Sequence, residues 1–129
     1  MFNLNETVIV NNINYTVTDV QHSNNPATVN NSGFTKPIEG NEFVLVTIKI
    51  ENKSDKKISY SSFNWKMQNS LGQETDAKYT KDFDSGELLK SGIKEGIIIF
   101  EQPIGDGDLK LNFYNNTLFD DSYVFQIDL

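Results

Sequence analysis

The stretch Glu42-Phe-Val-Leu-Val-Thr-Ile-Lys-Ile-Glu-Asn-Lys-Ser-Asp-Lys-Lys57 decides the fold. Val44, Val46, Ile48 and Ile50 occupy every second position, and the apolar signal stops at Asn52. A period of two is that of a β-strand with one face in a core. Burying each such side chain contributes about 1.5–3 kcal/mol, so these four read as an inner face packed on an opposite sheet. Lys53, Lys56 and Lys57, beside Glu51 and Asp55, read as the solvated tip of the following turn.

The same period recurs in both directions along the chain, and helical periodicity does not. Thr7–Val10 and Tyr15–Val20 read as strands around the turn-forming Asn11-Asn12. Phe63, Trp65 and Met67 share one face of a further strand, which ends at the turn Asn69-Ser70-Leu71-Gly72. Gly96–Glu101 is apolar on both faces, as a central strand is, and Pro103 ends it because proline cannot donate to a ladder. Leu109, Leu111 and Phe113, then Tyr123, Phe125 and Ile127, complete the alternating segments. Seven to nine short strands separated by Gly, Asn and Asp turns predict an immunoglobulin-like antiparallel β-sandwich over residues 1–129, as one domain. Two segments escape this pattern: the polar connection His22–Gly40, and Asp76–Gly92, where a short helical turn is expected near Gly86–Lys90.

Four blocks, taken in order, resemble a known family. They are Asn12-Ile13-Asn14-Tyr15-Thr16-Val17; Gly40-x-x-Phe43-Val44-x-Val46-x-Ile48-x-Ile50-x-Asn52; Phe63-x-Trp65-x-Met67-x-Asn69-x-x-Gly72; and Ser91-Gly92, Gly96, Ile99-Phe100-x-x-Pro103, Leu109-x-Leu111-x-Phe113. This set is similar to the Ig-like domains at the C-terminus of bacterial envelope lipoproteins and in small secreted immunoprotective antigens, filed largely as a domain of unknown function. The resemblance implies export and a place on the cell surface or beyond, with membrane attachment only through a lipidated cysteine upstream of Met1. It carries no catalytic residue across.

Composition narrows the chemistry. The net charge of −7, with acids spread along the chain, argues against nucleic acid, whose phosphates need clustered Lys and Arg. There is no cysteine, which removes disulfides, thiol catalysis and Cys-based zinc sites. No apolar run approaches the roughly 20 residues of a membrane-spanning helix, and no leader is visible before Thr7.

Few residues stand out as sites. His22 is the single histidine, without a second histidine or cysteine to share a transition metal and without a Gly-x-Ser-x-Gly element beside it. The acidic loop Asp82-Phe83-Asp84-Ser85-Gly86-Glu87 can offer oxygens to calcium through Asp82, Asp84 and Glu87. Asp106 and Asp108, or Asp120 and Asp121, would complete the shell if the fold gathered them. The alternative for this loop is a solvated turn. Trp65, with Tyr60, Tyr79 or Tyr114, suits a sugar-stacking platform, against which its place between Phe63 and Met67 argues for the core. His22, Phe34, Tyr60 and Tyr79 are the expected contact residues of loops.

The expectation is therefore a non-catalytic binding or spacer domain without a cofactor, its partner an envelope protein or a glycan. A calcium-dependent module, and a cytosolic adaptor or enzyme with a cryptic site, stand as alternatives.

Overall fold

The computed structural model describes residues 1–24, 36–115 and 122–129. It contains strands β1 (Thr7–Val10), β2 (Ile13–Ser23), β3 (Asn41–Asn52), β4 (Ile58–Tyr60), β5 (Trp65–Gln68), β6 (Glu74–Asp76), β7 (Tyr79–Lys81), β8 (Gly86–Leu88), β9 (Ile93–Pro103), β10 (Lys110–Phe113) and β11 (Phe125–Asp128). All named strand pairs are antiparallel. One sheet runs β1-β2-β3-β9-β7, a second β11-β10-β5-β6, and β4-β8 form a two-stranded ribbon.

The expected sandwich is what the chain forms. Val44, Val46, Ile48 and Ile50 from β3 share one core with Val17, Ile98 and Phe100 of the same sheet. Trp65, Met67, Leu111, Phe113, Phe125 and Ile127 of the second sheet face them. Asn11 and Asn12 both take positive φ (53° and 64°), the conformation of a two-residue hairpin turn whose twist matches its strands. The Tyr15, Trp65, Phe113 and Phe125 rings meet at centroid separations of 4.6–5.9 Å. Trp65 is a core residue, not a stacking platform; its Nε1 is buried without a hydrogen-bond partner among the described residues.

Four expectations need correction. The strand count is eleven among the described residues, because β4, β6, β7 and β8 have three residues each, too few for alternation to register. Gly86–Leu88 is not helical; it pairs with β4, Tyr60 lying opposite Gly86. Phe63 does not share the face of Trp65 and Met67. It sits 78% exposed in a single 3-10 turn, Ser62–Asn64, where Ser61 Oγ accepts from the Phe63 N–H and Asn64 Oδ1 accepts from the Ser61 N–H. Alternation in that segment thus starts only at Trp65. Finally, β3 is buried on both faces in its first half: Phe43 and Leu45 form a second cluster with Ile99, flanked by Tyr79 and Ile97.

Gly96 explains how the acidic loop is seated. A Cβ at this position would lie 2.1 Å from the Asp82 carbonyl oxygen, so only glycine lets the loop cross β9 so closely. The crossing drives Phe83 fully into the core, leaving Asp82 and Asp84 outside.

Candidate functional site

Among the described residues, those expected to be functional do not converge. His22 is not in a loop but in β2, paired with Val44, and its Nδ1 lies 2.7 Å from Glu42 Oε1 at the rim of the sheet. Tyr79 is in β7, its ring edge-on to Phe43 at 6.0 Å. Beside it Lys78 Nζ and Asn41 Nδ2 each donate to the Glu101 carboxylate at 2.9 Å. Burial alone would push that carboxyl up; the donors from Asn41, Lys78 and the Ile38 backbone outweigh it and hold it below the usual carboxylate range. This cluster ties β3 to β9 and is structural. Phe34 lies outside the described residues, as do most of the long polar connection and Asp120 and Asp121.

The acidic loop is likewise dispersed. Asp84 Oδ1 accepts from Thr80 Oγ1 at 3.2 Å, and Glu87 pairs with Lys57 Nζ at 2.9 Å. Asp106 is engaged elsewhere, accepting from the Ser70 N–H and the Asp108 N–H, which hold its carboxyl below its ordinary value. Among the described residues no three carboxylate or imidazole groups gather as a metal ion requires. The alternation that suggested ligands has a simpler cause, since outward acids flank the buried Phe83.

What the fold does build is a cavity of about 300 Å³ at one end of the sandwich. Its walls are Ile13 and Tyr15 at the start of β2, Ile50 at the end of β3, Ile58 of β4 and Phe113 at the end of β10. Ser59, Tyr60, Asn64 and Asn115 add polar groups. Asn64 is held by the 3-10 turn, and its Nδ2 donates to the Tyr114 carbonyl at 3.0 Å, which fixes that wall to β10. Tyr60 is braced edge-on against Phe83 at 5.6 Å and lies over Gly86, where a Cβ would meet its Oη at 2.5 Å. Burial pushes the Tyr15 hydroxyl up to about 12, so it stays protonated at any physiological pH.

Among the described residues the lining contains no carboxylate and no imidazole, and its two titratable groups are tyrosines. Apolar walls with a few hydroxyls and amides suit the binding of an apolar or amphipathic group. Of the cavity's residues only Tyr60 was expected as a contact. Ile50 and Phe113 were legible as positions of alternating strands, but the meeting of the lining residues depends on how four distant segments stack.

Comparison with known proteins supports this fold reading. The chain superposes on the yjhA protein of Bacillus subtilis with a TM-score of 0.74 at 15% identity, covering 100% of this chain and 99% of that one. A candidate lipoprotein of the same organism, ycdA, matches with a TM-score of 0.74 at 12% identity, over 95% of this chain and 38% of that protein. MPT63, a secreted protein of Mycobacterium tuberculosis, matches with a TM-score of 0.70 at 9% identity, over 98% and 95% of the two chains. No curated protein sequence matches the chain. Residues 2–124 match the family model DUF4352, and the chain belongs to that family, a domain of unknown function.

Proposed function

We propose that the chain is a non-catalytic binding domain held outside the cytoplasmic membrane of a bacterium, receiving an apolar or amphipathic group of its partner in the end cavity. The observation that carries the binding role is the lining of that cavity: Ile13, Ile50, Ile58 and Phe113 supply area, and Ser59 and Asn64 supply polar contacts. The location is supported by the fold shared with a candidate lipoprotein and with a secreted protein. A lipid anchor upstream of the domain would place it on the surface, and release without one would make it a free secreted binder.

Fractionation of cells expressing the native protein, fed labelled palmitate, tests the location. Recovery in the envelope or the medium is expected, and a cytosolic pool would overturn it. The cavity is tested with anilinonaphthalene sulfonate, whose fluorescence should rise on the folded wild type and not on Ser59→Trp. Equal binding to both would remove the cavity from this reading.

A further inference from the structure

A second depression, of about 270 Å³, lies on the outer face of the four-stranded sheet, and its chemistry is opposite to that of the end cavity. Gln68, Glu74, Asn112, Tyr114 and Tyr123 line it. Its floor is a closed hydrogen-bond network. Asn112, 1% exposed although it faces outward, donates from Nδ2 to Gln68 Oε1 at 3.0 Å and to Glu74 Oε2 at 2.8 Å. Gln126 Nε2 donates to Asn112 Oδ1 at 2.8 Å and to Gln68 Oε1 at 3.2 Å. Tyr114 Oη donates to Glu74 Oε2 at 2.6 Å.

The network fixes what its rim presents. Gln68 Oε1 accepts from two amides, so turning this side chain over would set its NH2 against two other donors. Its NH2 is therefore held as a donor pair without a partner among the described residues. Glu74 spends Oε2 on Asn112 and Tyr114, which leaves Oε1 as an acceptor among the described residues. Both ends meet on the single nitrogen of Asn112, so donor and acceptor are neighbours. Tyr123, 45% exposed, stands at the edge, while Lys66 already occupies a face of the Tyr114 ring at 5.5 Å.

We propose that this tray binds a neutral glycan. Two adjacent hydroxyls of a pyranose match it, one accepting from Gln68 and the next donating to Glu74, with the apolar face of the ring on Tyr123. An anionic ligand would meet the Glu74 carboxylate, and an apolar one would strand the Gln68 donors. The proposal rests on the reading of the chain as a binding domain but uses a separate surface, so either site can fail without the other.

The test is a titration of the isotope-labelled full chain with cellotetraose, chitotetraose and galactobiose, following side-chain NH2 signals of Gln68, Asn112 and Gln126 by NMR. At least one sugar should shift them saturably with a Kd on the order of 1 mM, as a few hydrogen bonds and one ring contact allow. Tyr123→Ala, at an exposed position, and Gln68→Ala should each weaken binding about tenfold or more. No shift by any of the three sugars at about 20 mM would overturn the proposal. So would shifts that survive both substitutions, or shifts confined to Ile13, Ile58 and Tyr60 at the end cavity.

Discussion

Asn52, where the apolar run of β3 ends, is fully buried and uses its whole side chain. Its Nδ2 donates to the carbonyls of Lys56 at 2.7 Å and Leu88 at 3.0 Å, and its Oδ1 accepts from Ser54 N–H and Oγ. One amide thus shapes the turn after β3 and ties it to the end of β8. Asn52→Ala should cost about 1–3 kcal/mol, the usual penalty for stranding buried partners, read as a lower urea midpoint. Asn52→Asp should be at least as harmful, because a carboxylate would face two carbonyls. Tyr15 gives a prediction in pH. Its proton is held to about 12 in the folded chain against the usual 10.0, so the folded state binds more protons between these values. The contribution of Tyr15 to stability is complete below pH 10.0 and is lost as pH rises toward about 12. The loss is about 2–3 kcal/mol for a shift of that size, and Tyr15→Phe should abolish that part of the alkaline decline in equilibrium unfolding.

Among the elements, the crossing of the acidic loop over β9 is the tightest fit. Gly96→Ala would press a methyl group into the Asp82 backbone, which cannot swing aside as a long side chain can. A loss of about 1–3 kcal/mol is expected, as for other overpacked sites, with Phe83 the first core residue to gain solvent in fluorescence or exchange measurements. Elements of four residues or more were the legible ones, β1 included. β3 announces itself through the alternation of Val44–Ile50 and β9 through the unbroken apolar run Ile97–Phe100. β4, β6, β7 and β8 stay silent, since three residues carry no period and their pairing depends on partners far along the chain. Phe63 misled for a related reason. A 3-10 turn ahead of a strand can place an aromatic two residues from the next one and still point it to solvent.

In the whole molecule, the sandwich was readable from sequence while its two candidate sites were not. Ile13, Ile50, Ile58 and Phe113 each look like core residues, and they become a cavity only where the fold brings β2, β3, β4 and β10 together. Gln68, Asn112 and Gln126 look like ordinary outward polar residues of separate strands, and only the β5-β10-β11 register makes them a network. That register has a further neighbour. Phe2 forms a parallel bridge with Ile127, its N–H donating to the Gln126 carbonyl at 3.0 Å and its carbonyl accepting from the Asp128 N–H at 2.8 Å. The two ends of the chain therefore run side by side in the same direction. A pull on residue 2 away from residue 128 acts along this pair and across its hydrogen bonds, so both bonds are sheared together instead of being peeled in turn. For a domain tethered at one end and gripped at the other, the first element to bear tension would be this short clasp, with the aromatic core beneath it still closed.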